Sequence, residues 1–421
     1  KAIEVASKIA EKYGFKTTNF DNYALTVDFS EDEAELAILS HLDIVPVGTG
    51  WTKDPLNVTI EDGKIYGRGT SDDKGPAITA LFALRAIKEL NIPISKNVRL
   101  IMGADEETGS RDLEYYFKKE KAPKYCFTPD AEFPIINGEK AGYGSSFVAE
   151  YSQNQPLPCI ISVNGGHTSN VVPQESQALI SGLSKDVVKA IADEKEKELD
   201  AKIQVSEQNN FVKINVLGKS AHASRPENGV NAVTAIIDFL SALPLASGEL
   251  TDYIKSLNVM FPHKDYNGIA LGIDRKDDIM GELTCSFNIL SIEKGKIKGT
   301  FDIRATKGCN EENTALVIKE KMKSLDFELL STKMSNIHYV SPELPFIKTM
   351  LSVYEGVTGR KGECQSIGGG TYVHEIENGI AFGPSLPETD TKIHEADEFA
   401  VIDELILGAR MYAEIIAEVC K

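Results

Sequence analysis

The chain has 421 residues, 42% of them hydrophobic and 26% charged, with a formal net charge of −18 from 45 basic and 63 acidic side chains. A length of this order exceeds one ordinary core and predicts two domains. The acidic excess opposes phosphate backbones and anionic lipid, so neither a nucleic acid nor a membrane is expected as partner. No apolar run is long enough to span a bilayer, and the first ten residues read as an amphipathic helix rather than a signal peptide. Cysteines at 126, 159, 285, 309, 364 and 420 show no paired spacing. They read as reduced thiols, and a cytoplasmic location is expected.

Along the chain, a helix over residues 1–13 precedes strands at 15–20 and 23–29. The run from Glu35 to Ser40 predicts a buried strand ending at His41. A hairpin around Gly63 follows, and Pro76 is placed at the opening of a helix, where its missing N–H is not needed. Ala77, Ala80, Leu81, Leu84 and Ile87 fall on one helical face. Strands at 98–103 and 125–128 complete an alternation of helix and strand that predicts a mixed, largely parallel α/β sheet flanked by helices. Between 139 and 336 the texture changes to short strands (211–216, 283–289, 299–303) and helical patterns near 184–200, 229–242 and 311–325. This predicts an inserted α+β domain. The α/β texture returns to the end, closing with a helix whose face is read as Ile402, Leu405, Ile406, Ala409 and Tyr412. The predicted organisation is therefore 1–138 and 337–421 as one domain, with 139–336 inserted.

Metal-type ligands gather at the carboxyl ends of the predicted strands, where open α/β sheets place their sites. His41 and Asp43 lie two apart at a strand end, so both point to one side; Asp43 is placed to orient the His41 ring. Asp72 and Asp73 sit in a glycine-flanked loop before the Pro76 helix, either as helix caps or as carriers of a shared carboxylate. Glu106 and Glu107 are read as standing side by side at the end of the strand 98–103, so that they point in different directions; one carboxylate could bind a metal while the other reaches water. Asp130 follows the strand 125–128, and His394 lies in the loop before the last helix. Two histidines and at least three carboxylates on one sheet edge suit two divalent ions, zinc foremost, with manganese or cobalt acceptable. Serine-hydrolase and P-loop signatures are absent.

The segments SHLDIVP (40–46), GRGTSDDKGP (67–76), GADEETG (103–109), TPDAEFP (128–134), NGEK (137–140), GKSAHASRPENGVNA (218–232), GTFDIR (299–304) and IGGGTY (367–372) occur in this order over nearly the whole chain. Together they resemble the dinuclear metallopeptidases that include carboxypeptidase G, aminoacylase and carnosinase, and within them the PepV-like dipeptidases. The resemblance implies that His41 and Asp130 hold one metal and that Glu107 and His394 hold the other. It further implies that Asp72 bridges both and that Glu106 is the general base for a two-metal activated water. It implies that the insert is a lid, with His222 donating to the oxyanion and Asn170 and Arg304 gripping the free carboxylate of a small peptide. The length of the insert implies a monomer that completes its site within one chain. The activity implied is dipeptide hydrolysis. An N-acyl amino-acid deacylase or carboxypeptidase of the same superfamily, or a lapsed hydrolase kept for metal binding, are the alternatives. The remaining histidines, His167, His263, His338 and His374, are read as structural or exposed, with His167 close enough to Asn170 to line a cleft.

Overall fold

The computed structural model describes residues 1–421. The chain divides into two compact units, Lys1–Glu139 with His338–Lys421, and Lys140–Ile337. None of its helices is long and apolar enough to cross a membrane.

The first unit is built on a nine-stranded mixed sheet. Its centre is parallel: Asn97–Gly103, Ala34–His41, Tyr125–Thr128 and Gly379–Ala381 lie side by side. Lys16–Phe20 and Ala24–Asp28 extend one side antiparallel, and Ile135–Glu139 lies beyond Gly379–Ala381 on the other. Leu36, Ala37, Ile38 and Leu39 have no exposed surface. Such an unbroken apolar run is what a strand covered on both faces requires. Alternate residues of this strand enter different cores. Leu36 and Ile38 pack with apolar residues of Ala2–Lys12, Lys74–Glu89, Pro345–Thr358 and Ile402–Val419. Ala37 and Leu39 pack with Leu113 and Tyr116 of Arg111–Phe117. The period of two thus assigns each side chain to one face and its helices.

Three details of this unit depart from the sequence reading. The helix over Lys74–Glu89 begins two residues before Pro76, with Asp73 at its N-cap position. Proline is still harmless there, because the first-turn N–H groups have no partner within the helix. Glu106 and Glu107 are not on a strand end: the strand stops at Gly103, and they form a 3₁₀ turn, Glu106–Thr108. The last helix, Ile402–Val419, leaves Ile406 63% exposed and buries Glu404 instead. The Glu404 carboxylate accepts from the Leu386 amide at 3.1 Å and the Thr389 hydroxyl at 2.6 Å, which makes an acid acceptable on the inner face.

The second unit is an eight-stranded sheet, wholly antiparallel, in the order Lys202–Gln208, Phe211–Leu217, Glu175–Ser181, Cys159–Gly165, Thr284–Glu293, Lys296–Ala305, Ala141–Glu150 and Glu328–Leu329. Four α-helices accompany it, over Lys185–Leu199, Ala232–Ala242, Glu249–Met260 and Leu316–Lys323. The helix Ala232–Ala242 starts where it does because the Asn231 side chain accepts from the amides of Val233 and Thr234, each at 3.0 Å. The helix over Glu249–Met260 is absent from the sequence reading, although Leu250, Ile254 and Leu257 carry its spacing and are buried.

Candidate metal centre

In the first unit, parallel register sets the site. His41 lies opposite Gly103, so the loops that follow these two strands leave the sheet together. One carries Asp43 and the other carries Glu106 and Glu107. Asp130 follows the neighbouring strand Tyr125–Thr128, and Asp72 immediately precedes the N-cap of Lys74–Glu89.

These loops converge on Asp72. Its Oδ1 lies 2.8 Å from His41 Nε2 and its Oδ2 lies 2.8 Å from His394 Nε2. Asp130 Oδ2 is 3.6 Å from His41 Nε2, and Glu107 Oε1 is 3.3 Å from His394 Nε2. The carboxylate of Asp72 therefore faces an imidazole on each side, and each imidazole has a second carboxylate near it. Asp73 does not share this role. Its Oδ2 accepts from the Ser40 hydroxyl and, at 2.9 Å, from the His41 amide, so it holds the end of the strand.

Asp43 does more than orient a ring. His41 Nδ1 lies 3.3 Å from its Oδ1. The two carboxylate oxygens also take the amides of Glu106 at 3.3 Å and Glu107 at 3.2 Å. A second carboxylate fixes the same turn from behind. Asp112, buried at the start of Arg111–Phe117, accepts from the amides of Ala104 at 2.5 Å and Asp105 at 2.7 Å, and from the Tyr372 hydroxyl at 2.5 Å. These bonds explain why the strand stops at Gly103 and the acidic pair turns. Neither Asp112 nor Tyr372 was singled out as a site residue from the sequence. The only signal is the position of Tyr372 in IGGGTY; the helix that carries Asp112 is absent from the sequence reading.

The charges are strongly coupled. Burial opposes a charge on His41, yet Asp130, Asp43 and Asp72 together raise its pKa well above the usual imidazole range. Asp72 and Glu107 raise His394 to about 10, against a smaller cost of burial. Asp72 works against its own burial and is held low by His394 and His41. Burial, then repulsion from Asp130, pushes Glu106 up to about 9, and burial followed by Asp72 raises Asp130. Six carboxylates (Asp43, Asp72, Asp73, Glu106, Glu107 and Asp130) thus crowd two imidazoles, an arrangement that favours added cations.

The residues fit a metal. One donor atom from each of His41, Asp72 and Glu107 lies within 4.8 Å of the others. Glu107 Oε1 is buried and has no hydrogen-bond donor other than the His394 ring 3.3 Å away. Imidazole nitrogens with carboxylate oxygens form a donor set for zinc, manganese or cobalt.

In the second unit, the short strands Val171–Val172 and Ala221–His222 pair, with Val171 opposite His222. The Ala223 amide donates to the Asn170 carbonyl at 2.9 Å, so Asn170 and His222 lie on one small ribbon. His222 Nδ1 is 2.7 Å from the Ser224 hydroxyl. Arg304 Nε and Nη2 donate to Asp302 at 2.7 and 3.0 Å, which fixes the plane of the guanidinium. Of the remaining histidines, His263, His338 and His374 are hydrogen-bonded within their own units, and His167 is exposed.

Residues 37–418 match the model of peptidase family M20/M25/M40. The chain belongs to this family. It is 37% identical over 420 residues to the putative dipeptidase YtjP of Bacillus subtilis, covering 98% of this chain and 89% of that one. It is 35% identical over 416 residues to the Beta-Ala-Xaa dipeptidase of Lactobacillus delbrueckii subsp. lactis, covering 98% and 87%. Human carnosine dipeptidase 1 shares the fold, with a TM-score of 0.60 at 17% identity over 99% of this chain and 89% of that one. As a member of the M20 family the protein is a metallopeptidase, hence a hydrolase, and its mixed α/β architecture is that of the family.

Proposed function

We infer that the protein is a dinuclear metal-dependent dipeptidase that cleaves the peptide bond of dipeptides with a free C-terminal carboxylate. The observation that carries this reading is Asp72, whose two oxygens each lie 2.8 Å from a different imidazole. His41 and Asp130 would hold one ion and Glu107 and His394 the other, with Asp72 shared between them. When bound, two divalent ions supply Lewis acidity that makes water a nucleophile at neutral pH and polarises the scissile carbonyl. The side chains do the rest. Asp43 keeps the His41 ring in place and, through the amides of Glu106 and Glu107, keeps the acidic turn beside it. Glu106 takes a proton from the attacking water and returns it to the leaving amine.

The reading assigns the Lys140–Ile337 unit as a lid and the remainder as the catalytic domain. Within the lid, His222 donates to the developing oxyanion, and Asn170 with Arg304 recognises the substrate carboxylate, for which a guanidinium is suited. Support comes from the relatives, a putative dipeptidase and a Beta-Ala-Xaa dipeptidase. The reading also takes the chain as cytoplasmic and as a monomer, and sedimentation equilibrium checks the oligomeric state.

The deciding experiment strips metal, restores zinc, manganese or cobalt singly, and assays α-dipeptides, β-alanyl dipeptides and N-acyl amino acids. Dipeptide cleavage restored by metal is the expected outcome, and cleavage of acyl amino acids alone would replace this reading with a deacylase. Glu106→Ala is expected to lose about 10²–10⁴-fold in kcat while keeping its metal content. Near-full turnover in that variant would remove Glu106 as the base.

A further inference from the structure

Glu398 lies four residues after His394 and has no exposed surface. Its Oε2 pairs with Arg68 Nη1 at 2.6 Å, both side chains being buried. Its Oε1 accepts from the amides of Gly69 at 3.0 Å, Ser71 at 3.0 Å and Asp72 at 3.2 Å. Its carbonyl accepts from the Gly67 amide at 2.9 Å. One acid therefore holds the whole turn from Gly67 to Asp72. Arg68 is itself braced, with Nη2 donating to the Val47 carbonyl at 3.3 Å and its guanidinium over the Trp51 ring at 5.2 Å.

Stability alone is a weak reason for such a group, since well-packed apolar residues often serve a fold as well as a buried ion pair. Its location supplies a better reason. The amide of Asp72 belongs to the residue whose carboxylate faces both imidazoles. Glu398 also anchors the C-terminal side of the loop that carries His394. That loop needs an anchor, because Lys392, His394 and Asp397 have φ of 57°, 64° and 59°. Left-handed backbone is unfavourable for a non-glycine residue and persists only where surrounding contacts impose it.

We propose that Glu398, backed by Arg68, is a positioning residue that couples the His394 loop to the Asp72 turn and so sets the spacing between the second imidazole and the shared carboxylate. The proposal rests on the dinuclear reading of the site. Glu398→Gln keeps the size and an accepting oxygen but loses the charge facing Arg68. Glu398→Asp keeps the charge on a shorter arm, and Arg68→Lys keeps a cation without the fork. The readouts are Zn²⁺ and Mn²⁺ affinity by competition with a chromogenic chelator, metal stoichiometry, kcat and KM on a dipeptide at saturating metal, and melting of the metal-free protein.

Glu398→Gln is expected to bind one of two ions about 10- to 100-fold more weakly, with kcat reduced and KM little changed. Glu398→Asp should recover part of the loss. Arg68→Lys should show a smaller loss in the same direction, and it carries the test if Glu398→Gln does not fold. Variants that melt lower when metal-free, yet bind both ions with wild-type affinity and keep wild-type kcat, overturn the proposal. Affinity is read without substrate, so a wild-type chain that binds two ions but cleaves no dipeptide ends the proposed activity while leaving this test its readout. A wild-type chain that binds fewer than two ions overturns both.

Discussion

The two imidazoles that face Asp72 reach it by different means. His41 ends a parallel strand, has no exposed surface, and is placed by register opposite Gly103. Its amide is held by Asp73, and its ring meets Tyr372 edge-on at 6.0 Å between centroids. His394 has a side chain 44% exposed and sits in a loop with left-handed backbone. One half of the centre is thus a product of the sheet. The other half depends on side chains, Asp397 and Glu398, that tie a loop to distant backbone. Half a site that comes with the core is costly to disturb, whereas half a site tied on by loops can be tuned at little cost to the fold.

Removing each histidine tests this contrast most strongly. His41→Ala leaves Asp72, Asp73 and Asp130 buried with less countercharge. The metal-free protein is expected to lose about 3–5 kcal/mol, the range for breaking a buried charged pair. His394→Ala removes a partly exposed partner and is expected to cost under about 1 kcal/mol. It should retain one ion, held by His41, Asp72 and Asp130, where His41→Ala loses that ion. Chemical denaturation of the metal-free proteins and elemental analysis of the loaded ones read both effects. Equal destabilisation by the two substitutions would erase the contrast.

Protonation gives a second test. In the metal-free centre His394 is raised to about 10, His41 is raised further, and Glu106 is pushed to about 9. At pH 7 all three hold a proton, and imidazole must lose its proton to bind metal. Metal uptake at pH 7 should therefore release about two protons or more per chain, measured by calorimetry in buffers of different ionisation enthalpy. The sign for stability follows from the same shifts. A histidine with a raised folded pKa stabilises fully below its unfolded value, near 6.5, and that contribution is lost as pH rises through about 10. Glu106 also binds its proton more tightly when folded, so between about 4.5 and 9 it too makes stability fall as pH rises. The metal-free protein should weaken from pH 7 to 10, and the loaded protein should not. No proton release at pH 7 would show that the imidazoles are neutral before metal arrives.

What could be read from the sequence follows the same division. The strand ending at His41 was legible because a parallel strand covered on both faces must be a continuous apolar run. Asp43, Glu106, Glu107 and Asp130 were legible as acids after such strands. The turn that carries Glu106 and Glu107 was not, because Asp112 and Tyr372 form it, and these two are 260 residues apart. Periodicity alone assigns Ile406 to the core, and the partners that bury Glu404 lie 15 and 18 residues back, outside any helical spacing. Arg68 and Glu398 left no local signal, being 330 residues apart. Pattern reading finds groups whose neighbours in sequence prepare them and misses groups prepared only by the fold.

The smallest effect should come from Asp397, which separates the two ties on the His394 loop. Its Oδ1 accepts from the amides of Thr52 at 2.8 Å and Lys53 at 3.2 Å, and its Oδ2 accepts from the Thr52 hydroxyl at 2.8 Å. These partners belong to the segment around Trp51, outside the Gly67–Asp72 turn, and they are exposed or only partly buried. Asn tolerates the φ of 59° found at this position, so Asp397→Asn removes the charge without adding backbone strain. Metal affinity should change by only about twofold, while the segment around Thr52 becomes more open to proteolysis. Limited digestion with and without metal, alongside chelator competition, measures both. If Asp397→Asn weakened metal binding as much as Glu398→Gln, the anchor would be the loop as a whole, and the particular bond from Glu398 to the Asp72 amide would lose its special place.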